Sequence, residues 1–215
     1  MRSHFDEQLA LLNKEMIEMG ALCEEVIELA AKSLVAGNQK VATQIAPIDA
    51  KIDQKERTIE SMCLRLLLQQ QPVAKDLRQI SAALKMITDM ERIGDQAEEI
   101  AEIVVFLKDE ERKEDVLLQE MAKASISMVT ESVDAFVKHD IMLAEKVIND
   151  DDIVDRYFDR IKADLIQKIS ENPKDGEYAI DLLIISKYFE RIADHAVNIA
   201  NWVIFSVTGS HKEEF

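Results

Sequence analysis

Glu91 and Asp95 stand four residues apart, and Glu190 and Asp194 repeat that spacing 99 residues later. The flanking residues repeat as well: Glu91-Arg92-Ile93-Gly94-Asp95-Gln96-Ala97 returns as Glu190-Arg191-Ile192-Ala193-Asp194-His195-Ala196. On a helix, positions i and i+4 share one face at roughly 6 Å. Two carboxylates held there repel each other unless a cation or water lies between them. A second acidic pair precedes each motif, Asp49 and Asp53 before the first, Asp151 and Asp155 before the second. An all-oxygen donor set suits hard or borderline cations such as Mg²⁺, Ca²⁺, Mn²⁺ or iron. The chemistry implied at these eight carboxylates is therefore cation binding.

A lone Glu-x-x-x-Asp is ordinarily a solvated helix flank. Duplication of the motif, together with the upstream pair in both copies, moves the reading toward metal ligation. Placing Ile87, Gly94 and Ala101 at heptad position a, with Met90, Ala97 and Val104 at d, puts Glu91, Asp95, Glu98 and Glu102 in one stripe along the core's flank. Asp49, Asp53, Glu56 and Glu60 form a second stripe. Neighbouring helices would bring the two stripes together in a shallow groove. In the second copy, Asp151 and Asp155 would face Glu190 and Asp194, joined by Asn198 or Asn201. Gly94, Ala97 and Ala101, like Ala193, Ala196 and Ala200, are small enough to let helix backbones approach closely.

Long helices must position these groups. Phe5, Leu9, Leu12, Met16, Met19, Cys23, Val26, Ala30 and Leu34 recur in steps of three and four, the pattern of an amphipathic helix. Ala36-Gly37-Asn38 ends it. A second helix is predicted from about Lys40 to Gln70, kinked at Pro47 or starting just before it. A third, capped by Asp76 or Ser81, reaches Leu107. The charged octet at 108–115 links the halves. Met121, Ser125, Met128, Ser132, Ala135 and Phe136 mark a fourth helix, Lys138-His139-Asp140 a turn, and Leu143 to Ser170 a fifth. Asn172-Pro173-Lys174-Asp175-Gly176 breaks the chain before a sixth, Tyr178 to about Val207. Asp49-Ala50-Lys51-Ile52-Asp53 aligns with Asp151-Asp152-Ile153-Val154-Asp155, so all three helices correspond. The expected fold is all-α: two tandem, duplicated three-helix bundles, at residues 1–108 and 116–215.

Composition narrows the function. There are 42 acidic against 26 basic residues, a formal charge of −16. This argues against nucleic acid as the ligand, because phosphate binding rests on clustered Lys and Arg. Five glycines, three prolines and 5% aromatics fit helices rather than sheet. Cys23 and Cys63 read as buried reduced thiols. No signal peptide or membrane span is apparent, so a cytoplasmic protein is expected, reaching a membrane only through partners. No Glu-x-x-His, P-loop, Gly-rich nucleotide motif or placed nucleophile is present. His195 reads as a surface or interface residue, and Trp202 and Phe205 as core.

The segments Pro72-Val73-Ala74-Lys75-Asp76-Leu77-Arg78, Glu91-Arg92-Ile93-Gly94-Asp95 and Tyr188-Phe189-Glu190-Arg191-Ile192-Ala193-Asp194-His195-Ala196 closely resemble the PhoU family of bacterial phosphate-uptake regulators, across essentially the whole chain. That resemblance implies two three-helix bundles and surface clusters of divalent or trivalent metal ions (iron, zinc, manganese or magnesium) held by Asp49, Asp53, Glu91, Asp95, Asp151, Asp155, Glu190 and Asp194. It also implies a homodimer and a non-enzymatic adaptor between a phosphate ABC transporter ATPase and a sensor histidine kinase, repressing the phosphate-starvation response. Where the family often carries Asn four residues after the motif Asp, the first copy has Glu99 and the second keeps Asn198. The competing readings are a carboxylate-bridged metal-dependent hydrolase, such as a phosphatase, and a metal-free helical scaffold.

Overall fold

The computed structural model describes residues 2–36, 39–69, 72–107 and 116–210. Within them every regular element is helical: α1 (Arg2–Ala36), a single turn α2 (Gln39–Ala42), α3 (Ile45–Gln69), α4 (Ala74–Phe106), α5 (Val116–Lys138), α6 (Ile141–Glu171) and α7 (Gly176–Thr208). The expected stop at Gly37-Asn38 and the charged octet lie outside the described residues.

The helix starts depart from expectation in two places, each for a local reason. The predicted second helix is split. α2 closes with Gln44 N–H donating to the Val41 carbonyl at 3.0 Å, and α3 begins afresh at Ile45. Pro47 then falls in the first turn, so of the two outcomes expected there, a kink or a start just before it, the start is the one observed: its missing N–H has no intrahelical acceptor to lose. Neither Asp76 nor Ser81 caps α4. The helix begins at Ala74, with Val73 as an N-cap that offers no side-chain hydrogen bond. Pro72 stands just ahead of this start, and Asp76 is left inside the first turn, where its charge favours the helix's positive end. By contrast, Asp140 does cap α6, accepting from Leu143 N–H at 3.0 Å. Gly209, at φ 81°, ends α7 in the left-handed conformation common after helix C-termini.

α1, α3 and α4 pack together as one bundle, and α5, α6 and α7 as another. Between them, α4 packs extensively against α7, and α1 against α5. At the second of these contacts a Cβ on Gly20 would stand 3.1 Å from Val133 Cγ1, so only a bare backbone fits there without displacing its neighbour. Met16, Met19, Cys23, Ile52, Met86, Met90, Phe136, Phe189 and Ile192 are fully buried in one hydrophobic core that runs through both bundles. Cys23 is a buried thiol whose Sγ lies 3.4 Å from the Met90 carbonyl, and Cys63 is buried too. Trp202 packs on the core and meets Phe205 edge-to-face at 5.7 Å.

α4 and α7 run antiparallel, as their cross-contacts show: Arg78 to Ser206, Asp89 to His195 and Asn198, Glu99 to Tyr188. The last two sets obey the repeat. Position 89 corresponds to 188 and position 99 to 198, so Asp89–Asn198 and Tyr188–Glu99 are the same contact viewed from either half.

Candidate metal centres

In each bundle the groove between the second and third long helices gathers the motif carboxylates. The helical steps of four and three that keep the apolar residues inward keep Asp49, Asp53, Glu91 and Asp95 on the facing flanks of α3 and α4. Asp49 is the innermost, only 9% exposed. Its Oδ1 is buried without a hydrogen-bond partner, and so is Oδ1 of its counterpart Asp151 on α6. Burial pushes the Asp49 carboxyl up to about 6, reinforced by the charges of Glu98, Asp53, Asp95 and Glu91. Asp151 is also pushed up to about 6, by burial and then by Asp155, Asp194, Glu190 and Asp152. Glu91, Asp155 and Asp194 are raised as well, each chiefly by burial and then by a neighbouring carboxylate. All eight sequence-selected residues thus lie in two electrostatically coupled clusters, four to each bundle.

Gly94 admits Asp49. A Cβ at position 94 would stand 2.4 Å from Asp49 Oδ1 and 3.1 Å from Ile52 Cδ1. The glycine does allow close approach, but what rests on the α4 backbone there is a carboxylate as well as apolar core. In the second bundle the same position is Ala193, fully buried.

The anions are partly answered by basic side chains that the motif spacing alone did not assign. Arg92 bonds Asp95 at 2.9 Å and approaches Glu91 at 3.5 Å, and Arg57 reaches Asp53 at 3.2 Å. In the second bundle Lys187 pairs with Glu190 and lies 5.5 Å above the Phe158 ring centroid. Arg92 and Lys187 each stand three residues before a motif acid, Asp95 and Glu190, a spacing legible in the sequence. Among the described residues no three Asp, Glu, His or Cys side chains converge as a ready ion cage. In donor chemistry the clusters nonetheless fit a hard cation: the buried Oδ1 atoms of Asp49 and Asp151 lack partners, and each is surrounded by like charge that a cation would relieve. Closing the carboxylates on one ion would require them to turn away from Arg92, Arg57 and Lys187.

His195 and Asn198 belong to neither cluster. His195 Nδ1 lies 2.9 Å from Asp89 Oδ1, and Asn198 Nδ2 donates to the same oxygen at 3.1 Å, across the α4–α7 seam. His195 is thus an interface residue, as read. Asn198, expected beside the second carboxylate cluster, instead joins the halves by donating to Asp89 on α4. Glu99, at the matching position, does the same by accepting from Tyr188 O–H at 3.2 Å. Asp89 was not singled out from the sequence. The signal that could have found it is the repeat, since its counterpart Tyr188 is the other polar group of the seam.

A family profile described as "PhoU domain" matches twice, at residues 16–104 and 118–203, one match per bundle. The chain is 33% identical to the phosphate-specific transport system accessory protein PhoU homolog 1 of Thermotoga maritima, over 99% of this chain and 92% of that protein. It is also 33% identical to the PhoU homolog of Clostridium acetobutylicum, over 99% and 98% respectively. The crystal structure of PhoU from Pseudomonas aeruginosa superposes with a TM-score of 0.90 at 33% identity, covering 96% of this chain and all of that one. The phosphate transport system regulatory protein PhoU from Streptococcus pneumoniae gives 0.89 at 28% identity, covering 98% and 100%. Profile, relatives and solved structures agree along nearly the whole chain, which belongs to the PhoU family.

Proposed function

We propose that this protein is a cytoplasmic, non-enzymatic accessory protein of a phosphate-specific transport system, carrying metal ions in its two carboxylate grooves. In this reading it joins the transporter's ATPase to a sensor histidine kinase and holds phosphate-starvation genes silent when phosphate is plentiful. A homodimer is part of the same reading. The observation that carries it is the family match over both bundles, each with its own coupled carboxylate cluster. The relatives' names describe transport accessory proteins, and no helix among the described residues is long and apolar enough to cross a membrane. Contact with a transporter is therefore assigned to protein surfaces.

Bound metal would supply positive charge to the grooves. Asp49, Asp53, Glu91 and Asp95 would hold it in the first bundle, and Asp151, Asp155, Glu190 and Asp194 in the second. Asp49 and Asp151 contribute the innermost oxygens, and their neighbours share the ligation from the rim. The adaptor reading is preferred to a metal-dependent hydrolase because His195, the imidazole next in sequence to a motif carboxylate, is taken up by Asp89 of α4. No placed general base then remains beside either cluster among the described residues.

Deleting the gene and following a phosphate-starvation reporter in phosphate-rich medium tests the accessory role. The reporter should be switched on, and restored to silence by the wild-type gene. Normal repression without the protein would reject the reading. Metal analysis of the purified protein, beside a variant with all eight carboxylates changed to amides, tests the metal part separately: equal metal in both would remove it.

A further inference from the structure

The stretch from 61 to 88 is out of character for this chain. It holds four basic residues, Arg65, Lys75, Arg78 and Lys85, and a single acid, Asp76, in a protein of net charge −16. Structurally it is the end of the first bundle, where α3 closes and α4 opens. Large apolar side chains face solvent there. Leu68 is 83% exposed and Val73 58%, with Leu64 one turn before Leu68 and Leu77 one turn after Val73 also about half exposed. Isolated exposed apolar residues are ordinary, but four of them among predominantly basic charge mark a contact surface.

The cations at this end are available. Lys32, Lys55, Lys123, Lys138 and Lys146 are all tied to carboxylates. Among the described residues Arg65, Lys75 and Arg78 have no carboxylate partner: Arg65 bonds its own helix at the Ser61 carbonyl, and Arg78 bonds the Ser206 carbonyl at the end of α7. The Lys75 ammonium also reaches the field of His139, whose imidazole is held below its ordinary range by burial and then by that charge. Lys75 thus stands near the α5–α6 turn. The equivalent stretch of the second bundle keeps exposed Ile166, Ile180 and Ile184 but carries five acids, Asp164, Glu171, Asp175, Glu177 and Asp181, against three lysines, Lys168, Lys174 and Lys187.

We infer that the α3–α4 end, built on Leu64, Leu68, Val73 and Leu77 with Arg65, Lys75 and Arg78 around them, docks an acidic segment of a partner protein that presents apolar side chains of its own. Charge complementarity selects the occupant. An anionic bilayer would have to overcome the acidic remainder of the molecule, and three or four cations fall short of the polybasic clusters that hold proteins to lipid. Symmetric pairing of this end with its copy would set Arg65, Lys75 and Arg78 against the same cations. An acidic, apolar segment satisfies the leucines and the cations together, with the rim charges steering encounter and the leucines supplying contact area. This surface is distinct from the metal grooves: from Leu77 to Glu91 along α4 is about 20 Å. The proposal rests on the accessory reading only in supposing that a protein partner exists.

A photo-crosslinking residue placed at Leu68 of the full chain in cells, with the same residue at Ile180 as control, tests the inference. The expected product is a second protein attached at Leu68, and mass spectrometry should locate the link in a segment rich in Asp, Glu and apolar residues. A peptide of that segment should bind the purified chain, more weakly as salt rises. Leu68→Glu should weaken it about tenfold, since burial of one leucine contributes more than 1.4 kcal/mol, and Lys75→Glu about threefold. Both positions are exposed, so the variants should keep the wild-type melting temperature. Ile180→Glu should leave peptide binding unchanged. A link to a basic segment, to lipid, or to a second copy would overturn the inference, as would a yield at Leu68 no higher than at Ile180. Failure of the accessory reading shows separately in the deletion strain, whose reporter does not depend on where the link falls.

Discussion

The groove between α3 and α4 carries acids at eight positions, whereas in the second bundle the places of Glu56, Glu60, Glu98 and Glu102 are taken by Phe158, Lys162, Val197 and Asn201. Only the inner four carboxylates repeat. The cations differ as well: Lys187 pairs with Glu190 over Phe158, where the first bundle has Thr88 beside Glu56, while Arg57, which reaches Asp53, has Asp159 as its counterpart. Burial and like charge raise Glu56 and Glu98, two of the four acids without a counterpart. The repeat has therefore kept a buried carboxylate at the centre of each groove and let the surroundings diverge. The first groove sets eight acids against Arg92 and Arg57, whereas the second has fewer acids and Lys187 on Glu190. The first should hold more metal, or hold it more tightly.

The largest effect should come from filling the contact where the two grooves differ most in shape. Gly94→Leu forces a branched side chain against Asp49 and Ile52 and should destabilise the protein by about 3 kcal/mol, the upper part of the range for overpacking. Gly94→Ala brings better helix propensity, worth about 1 kcal/mol, against the displacement of Asp49. Its melting temperature should change little while cation uptake by the first groove falls. If Gly94→Leu melted like Gly94→Ala in thermal unfolding, the tight contact between α3 and α4 would not constrain position 94.

Next come the buried acids. Asp49 and Asp151 are both raised to about 6 in the folded protein, above the ordinary aspartate value. Such groups favour the fold while protonated, and that advantage is lost as pH rises from the unfolded value, near 4, through 6. Metal-free protein should thus melt higher at pH 5 than at pH 7.5. Asp49→Asn and Asp151→Asn should each flatten that slope, raising metal-free stability at neutral pH by about 1 kcal/mol after allowance for solvent screening. Without metal the two halves should respond alike. With metal they should part: Asp49→Asn should remove the larger share of bound cation measured by elemental analysis. Equal losses from the two variants would break the comparison drawn from the outer acids.

The sequence carried much of this in its repeat. Six long helices, the pairing of α3 with α4 and of α6 with α7, and the gathering of the eight carboxylates follow from apolar steps of three and four and from two motifs in register. Local departures escaped because they depend on partners distant in sequence. Nothing near Asn198 indicates that Asp89 is within reach. Gly94 reads as a helix–helix contact residue until the Asp49 side chain is seen against its backbone. The absence of a capping side chain on α4 is a case of position overriding type: Asp76 is a good cap residue placed three positions too late, because Pro72 sets the start.

The smallest effects belong to the seam, and they separate its two equivalent contacts. Asp89 is mostly buried and receives two side chains, so Asp89→Ala leaves His195 and Asn198 without their acceptor and should cost about 1 kcal/mol. Tyr188 makes one exposed hydrogen bond to Glu99, and burial together with the Glu99 charge already raises its hydroxyl pKa. Removing that hydroxyl in Tyr188→Phe loses one bond that water readily replaces, so the cost should stay below about 0.5 kcal/mol. The two sites sit about ten residues apart along an antiparallel pair and share no partner, so the double variant should lose the sum of the single losses. A double loss clearly larger than that sum, measured by chemical denaturation, would show that the paired contacts act as one latch between the halves. Simple addition would make them two separate hydrogen-bonded pins, leaving the apolar packing of α4 on α7 as the main force joining the bundles.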